Sequence, residues 1–206
     1  MPAEPISLKV ITARANPAVT LSEAKLHLRV DGVAEDALIA ALVTAATEMV
    51  ERRTRRSLIN QTFRWTFDYF PAGAIELPRS PASQVAAGGA YAYSLPRVRY
   101  YDENGDQQTL IQGDDYLLDL DTNPPSLQLL ADGEWPMTQT GRNRCVEVDF
   151  VAGYGDNSAM VPELLKVCVK MLAGHWFANR EAVGVVGTEV PFAVDSILSM
   201  FHDGGF

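Results

Sequence analysis

The chain is organised around two adjacent stretches, Cys145-Val-Glu-Val-Asp-Phe-Val-Ala-Gly-Tyr-Gly-Asp156 and, after a short polar link, Val161-Pro-Glu-Leu-Leu-Lys-Val-Cys-Val-Lys-Met-Leu-Ala-Gly-His-Trp-Phe-Ala178. In the first stretch apolar and acidic residues alternate, the apolar ones being Val146, Val148 and Phe150. A period of two places apolar side chains on one face of a strand. The first stretch therefore predicts a half-buried strand that ends at Gly153-Tyr154-Gly155.

The second stretch predicts a helix over residues 162–178. Pro162 suits the first helical turn, where its missing N–H would have no partner, and Glu163 favours the positive end of the helix dipole. Apolar residues surround most of this helix, and Lys166 and Lys170 mark one wet stripe. Such a helix must be covered on several sides, either by its own chain or by a neighbour. The candidate core or interface residues are Leu164, Cys168, Met171, His175 and Trp176.

Composition bounds the class of protein. The chain has 206 residues, is 47% hydrophobic and 21% charged, and carries a formal net charge of −9. These values are ordinary for a globular chain with one domain, or one domain with an insertion. An acidic balance does not indicate nucleic-acid binding, which depends on cations placed against phosphates. Without a signal-peptide pattern or an apolar run of membrane-spanning length, the sequence predicts a soluble, intracellular protein.

The first part of the chain predicts an arm and two helices. Residues 1–18 contain three prolines and little periodicity, which indicates an extended arm. Thr20-Leu-Ser-Glu23 fits a capping box, so a short helix should run to about Val30. A longer amphipathic helix begins near Glu35 and ends in four cations, which are Arg52, Arg53, Arg55 and Arg56. These arginines either complement the negative end of the helix dipole or form an electrostatic interface with an acidic partner surface or a phosphate backbone.

The middle of the chain predicts strands. Aromatic residues alternate with polar ones around Phe63, Trp65 and Phe67, and Asn104-Gly105 favours a hairpin turn. Residues 57–152 are therefore predicted to form a small, mostly antiparallel β unit. Helical segments at residues 20–56 and 160–206 flank it, including a short terminal helix, which gives an α+β fold: a helical bundle with an inserted β unit.

Chemistry-bearing motifs are weak. Asp119-Leu-Asp-Thr-Asn123 begins like a calcium loop, but Pro124 stands where the loop needs glycine and Leu130 where it needs a bidentate glutamate. The histidines are isolated from other metal-ligating residues. Cys145 and Cys168 fit small buried hydrophobes better than a disulfide. The sequence thus predicts no catalytic residues, no metal site and no cofactor.

The order of several segments resembles the head-tail connector, or adaptor, family of long-tailed phages, prophages and gene transfer agents. The matching segments cover nearly the whole chain from Thr20 to Phe201; they are Thr20-Leu-Ser-Glu-Ala-Lys-Leu-His-Leu-Arg-Val30, Glu35-Asp-Ala-Leu-Ile39, Leu58-Ile-Asn-Gln-Thr62, Phe150-Val-Ala-Gly-Tyr-Gly155, Val161-Pro162 and His175-Trp-Phe-Ala-Asn-Arg-Glu-Ala182.

This resemblance implies a structural virion protein with a single connector domain over residues 19–206. Copies of the chain would form a ring, usually of twelve, beneath the portal and above a tail-side stopper or tail terminator protein. The ring would extend the DNA channel without binding DNA specifically. The expected location is the neck of a phage-like particle assembled in the bacterial host cytoplasm.

The resemblance also suggests a portal-docking segment in the terminal helix. Its candidate residues are Pro191, Phe192, Val194, Ile197, Leu198 and Phe201. The alternative is that this helix packs on its own bundle. Alternatives to the adaptor function itself are another tail-side completion protein or an enzyme of unknown type.

Overall fold

A computed structural model describes residues 5–81, 96–122, 124–130, 133–180 and 192–201. The chain divides into two compact units. The β unit contains the first strand and Asn60–Gly153, and the helical unit contains Arg14–Ile59 and the chain from Tyr154 onwards. The predicted α+β class is confirmed.

The β unit contains eight strands within its described residues: β1 (Pro5–Thr12), β2 (Gln61–Phe67), β3 (Ile75–Glu76), β4 (Arg97–Tyr101), β5 (Gln107–Leu110), β6 (Tyr116–Asp119), β7 (Ser126–Leu129) and β8 (Val146–Ala152). They form a five-stranded antiparallel sheet in the order β1-β2-β8-β4-β5 and a three-stranded one in the order β3-β7-β6. Strand β8 follows from the first quoted stretch, as predicted.

Alternation gives the five-stranded sheet one apolar and one polar face. Phe63 lies opposite Phe150 and Trp65 opposite Val148, and the Phe63 and Phe150 rings stack with centroids 5.6 Å apart. Because successive side chains of a strand point to opposite faces, the charged residues between these apolar ones share the other face. The apolar face forms the core of the β unit.

Strand β1 lies in the segment that the sequence predicts to be an extended arm. It pairs with β2 along the edge of the larger sheet, and Leu8, Val10 and Ile11 keep between 37% and 49% of their surface exposed. Leu8 and Val10 alternate with Ser7 and Lys9, a period of two that is typical of a strand. The division of the chain into an arm and one connector domain stays a prediction.

The helical unit consists of α1 (Leu21–Leu28), α2 (Asp36–Thr54), α3 (Glu163–Ala178) and α4 (Phe192–Ser199) within its described residues. The capping box at Thr20 and Glu23 is present in α1, as the sequence predicts. The core is built from inward positions of all four helices, such as Ile39, Val43, Leu165 and Leu172. None of the described helices has the length and apolar character that crossing a membrane requires.

One prediction about α3 is wrong. Lys166 does not belong to a wet stripe, because it is buried with 7% of its surface exposed. Its ammonium lies 2.6 Å from Glu23 Oε1 and 3.3 Å from Glu163 Oε2. A buried lysine needs such partners, since an uncompensated charge removed from water is costly.

Candidate functional site

The candidate residues on α3 divide between the core and the surface. Cys168 is fully buried among the helices, whereas Leu164 keeps 48% of its surface exposed. Met171, His175 and Trp176 are half-buried. The helix is therefore largely covered by its own unit, and Leu164 is its most exposed large apolar residue among those described.

The candidate residues on α4 pack against their own bundle. Val194 and Leu198 are buried, and Ile197 and Phe201 are half-buried against the same core. Pro191 and the side chain of Phe192 lie outside the described residues. The arrangement agrees with the alternative interpretation of the terminal helix, in which it completes its own bundle.

The four arginines at the end of α2 have two kinds of environment. Arg53 Nη1 donates to Asp195 Oδ1 at 2.6 Å, and Arg56 Nε donates to the Phe201 carbonyl oxygen at 2.7 Å, so both contact the terminal segment. Arg52 and Arg55 are exposed, and no described residue forms a hydrogen bond or ion pair with either. Those two cations are available to an acidic partner.

An apolar row lies along the outer side of α2. Leu38 is 37% exposed, Ala45 is exposed, and Leu42 and Met49 are half-buried. The row leads to a groove of about 450 Å³ lined by Ala45, Glu48, Met49, Arg52 and Arg53. An apolar floor bordered by two arginines and one glutamate fits a partner surface that carries apolar and charged side chains.

Glu23 connects three segments of the helical unit. Its Oε2 accepts hydrogen bonds from the Thr20 N–H at 2.7 Å and the Ser158 hydroxyl at 3.1 Å, while Oε1 binds Lys166. Burial alone would raise the pKa of Glu23, but the hydrogen bonds from Lys166, Thr20 and Ser158 lower it to about 2. The hydrogen bond that Lys166 donates to Glu23, together with a second one to Glu163, raises the pKa of Lys166. Sequence reasoning identified the cap but not its long-range partner.

The polar face of the five-stranded sheet carries an ion-pair network that sequence reasoning also missed. Arg64 binds Asp149 through two hydrogen bonds, of 2.7 and 2.9 Å. Arg99 Nη2 contacts Asp149 Oδ2 at 2.8 Å and Glu147 Oε2 at 2.9 Å. The hydrogen bond to Asp149 raises the pKa of Arg64. The alternation of charged residues with apolar ones in β2 and β8 was the available signal.

The described residues contain no group of three or more metal-ligating side chains close enough to hold an ion. The two cysteines are free and buried. Burial raises the pKa of Cys168 to about 11, so its thiol is protonated at neutral pH. Neither the calcium-loop fragment nor the histidines converge with other ligands among these residues.

Comparisons with known proteins indicate which class of protein the chain resembles. The family model for phage gp6-like head-tail connector proteins matches residues 18–94. The fold matches a chain in the solved neck of an empty gene transfer agent particle, computed with C6 symmetry, with a TM-score of 0.77 and 25% identity over 98% of this chain and 97% of that one. The resemblance to head-tail connector proteins is confirmed.

Two further solved structures have similar chains. A chain from the virion of a native gene transfer agent particle is 27% identical, with a TM-score of 0.73, over 98% of this chain and 97% of that chain. A chain from the neck of a native particle, computed with C12 symmetry, has the same fold, with 24% identity and a TM-score of 0.75 over the same shares. No match was found among the curated proteins to which the sequence was compared.

Proposed function

We propose that the chain is a structural head-tail connector that forms a ring of twelve copies in the neck of a phage-like particle, beneath the portal. The observation that carries this proposal is the similarity over 98% of the chain to a component of a gene transfer agent neck. The C6 symmetry of that neck is compatible with twelve copies, since twelve is a multiple of six. The role is structural rather than enzymatic.

Ring contacts join two different faces of adjacent copies, because only a head-to-tail contact closes by rotation into a ring larger than two. Two surfaces of the helical unit suit this role. One is the outer apolar row of α2 (Leu38, Leu42, Ala45 and Met49), and the other contains Leu164 with the half-buried residues Met171, His175 and Trp176. Covering either surface removes apolar area from water.

The terminal helix α4 is proposed to dock on the portal. Docking through Val194 and Leu198 requires α4 to leave its own bundle, because both side chains are buried there. Two polar contacts from α2, the Arg53–Asp195 ion pair and the Arg56 hydrogen bond, would be broken in that step. The Arg53–Asp195 pair is about half exposed on both sides, and such pairs are weak.

The ring extends the DNA channel from the portal towards a tail-side stopper or tail terminator protein. The chain's net charge of −9 suits a channel that lets DNA pass without holding it, because non-specific affinity for DNA comes from cations that neutralise phosphates. Assembly takes place in the cytoplasm of the bacterial host, where the particle itself is built.

A density map of the intact particle tests this proposal. The expected map contains twelve copies of the chain around the axis at the head-tail vertex, in contact with the portal on one side and a tail protein on the other. A lone copy of the chain, or copies elsewhere in the particle, would contradict the proposal. Native mass spectrometry of isolated necks gives the copy number independently.

A further inference from the structure

The polar face of the five-stranded sheet carries a cationic row that the function described above does not use. Lys9 on β1 lies opposite Arg64 on β2, and Arg64 lies opposite Asp149 on β8. Arg97 on β4 also lies opposite Asp149. Cross-strand partners share a face, so the row crosses four strands with three cations and one carboxylate. This is an unusual composition in so acidic a chain.

The adjacent row neutralises only part of this charge. It contributes Glu147 and Arg99, which lie opposite each other. Within the network, Arg64 and Arg99 are occupied by Asp149 and Glu147. The two rows together hold four cations and two carboxylates, a charge of +2. Since the whole chain carries −9, the remainder carries −11.

Two cations of this face are left without partners. Lys9 and Arg97 are both exposed, and no described residue binds either side chain. They stand three strand spacings apart, a gap of about 14 Å. Between them lie Arg64 and Asp149, whose side chains are 31% and 8% exposed. A hairpin turn laid over this pair, with side chains on both sides of its backbone, spans the distance to both cations.

The β4–β5 turn is a rigid acidic segment. The Asp102 carboxylate accepts hydrogen bonds from the N–H groups of Asn104 and Asp106, both at 3.0 Å, and from Gln108 Nε2 at 2.8 Å. Glu103 and Asp106 are exposed, and no described residue pairs with either carboxylate. A turn ordered in advance loses little conformational entropy when it binds.

We propose that the polar face of the five-stranded sheet, centred on Lys9 and Arg97, binds the acidic β4–β5 turn of a second copy of this chain. A chain's own turn projects beyond the end of β4, away from its own row, so a second copy has to provide the turn. Face and turn are different surfaces, as a ring contact requires.

This inference rests on the proposed function, and its test uses particles produced in cells that lack the wild-type chain. One variant carries Lys9→Glu and Arg97→Glu, and another carries Glu103→Lys and Asp106→Lys. Each variant alone places like charges against each other in every contact, which opposes association. Incorporation into particles, counted by quantitative mass spectrometry, should therefore fall about tenfold or more for each.

Co-expression of the two variants is the decisive experiment for the face-to-turn contact. In an alternating ring, the reversed face of one variant meets the reversed turn of the other, and the unchanged face meets the unchanged turn. Every contact then joins opposite charges, so co-expression should restore incorporation, with equal amounts of the two variants. The control variant, Asp114→Lys with Asp121→Lys, changes the charge equally at exposed unpaired carboxylates in other turns and should incorporate normally.

The outcomes separate the two proposals. Normal incorporation of either single variant, or no rescue on mixing while circular dichroism shows that both variants fold, would overturn the face-to-turn contact and leave the connector function standing. Absence of a ring in wild-type particles would overturn both. Retention of DNA by wild-type necks that is lost with Lys9→Glu and Arg97→Glu would place the cations in the channel and reject the contact.

Discussion

Lys166 and Glu23 form a 2.6 Å ion pair that links the start of α1 to the middle of α3. The ammonium is almost fully buried, and the carboxylate is also part of the α1 capping box. A single glutamate thus accepts a hydrogen bond from the Thr20 N–H at the start of one helix and neutralises a buried cation on another. Removing it should cost more than an exposed ion pair does.

We expect Glu23→Gln to lower the free energy of unfolding by about 2 kcal/mol, because Lys166 loses its nearest counter-charge while it stays buried. Urea denaturation measures the change. Glu163→Gln is the matched control: Glu163 also contacts Lys166, but it is 66% exposed, and such pairs contribute less than about 1 kcal/mol. Equal effects of the two substitutions would show that burial of the pair has no energetic weight.

The low pKa of Glu23 predicts an acid-sensitive stability. Its pKa is about 2 in the folded protein against an ordinary value of 4.5. Between these values the unfolded chain binds the proton and the folded chain does not, so stability falls as pH falls. The contribution of the Glu23 carboxylate to the free energy of unfolding is complete above pH 4.5 and lost near pH 2. The difference between wild type and Glu23→Gln should shrink across this window in urea titrations; a constant difference would contradict the shifted pKa.

Features that depend on residues close in sequence were predicted, whereas contacts between distant parts of the chain were not. The capping box at Thr20 and the alternation in β8 depend on residues close in sequence, and both were predicted correctly. The partner of Glu23 is 143 positions away in the chain, and only the packing of α1 against α3 brings Lys166 to it. Periodicity assigned Lys166 to a wet stripe because it cannot detect a buried ion pair.

The sequence also did not predict the edge strand β1 or the different environments of the four arginines. Strand β1 was predicted only as an extended arm, although Leu8 and Val10 alternate with Ser7 and Lys9, because the run is short and its pairing with β2 is a long-range contact. The arginines of α2 were recognised as a group, but sequence spacing does not separate Arg53 and Arg56, which contact the terminal segment, from Arg52 and Arg55, which do not.

Gly155, the second glycine after β8, has a backbone conformation and surroundings that disfavour a side chain. Gly155 has φ +156°, and a Cβ added there would lie 2.8 Å from Met160 Cβ. Gly155→Ala should therefore lower the free energy of unfolding by about 1–3 kcal/mol through backbone strain and crowding. Gly32→Ala is the control, since no atom lies within 4 Å of an added Cβ there. Thermal unfolding followed by circular dichroism distinguishes them, and equal melting temperatures would contradict the argument.

Arg52 and Arg55, at the C-terminal end of α2, have no partner among the described residues and predict a salt-dependent assembly. Replacing Arg52 and Arg55 with serine should weaken ring or portal binding more at 0.1 M than at 1 M salt, because the Debye length falls from about 10 Å to about 3 Å. Arg53→Ser is the comparison: Arg53 lines the same groove but is already paired with Asp195, so its loss should change the salt dependence less. Sedimentation of the purified chain with portal measures binding. A loss that is independent of salt would assign these two side chains to packing instead of electrostatics.

The terminal helix makes the last prediction, which tests its two interpretations against each other. Deleting residues 190–206 should leave a folded protein, because α1, α2 and α3 still share a core, but should lower the free energy of unfolding by about 3 kcal/mol, since Val194 and Leu198 no longer cover it. Met200→Ser is the control, because Met200 is 74% exposed and its loss uncovers nothing.

If α4 also docks on the portal, the truncated chain should lose portal binding at temperatures where circular dichroism shows it folded. Full binding by the folded truncation would restrict α4 to packing within its own bundle, and portal contact would then have to come from the exposed row and arginines of α2.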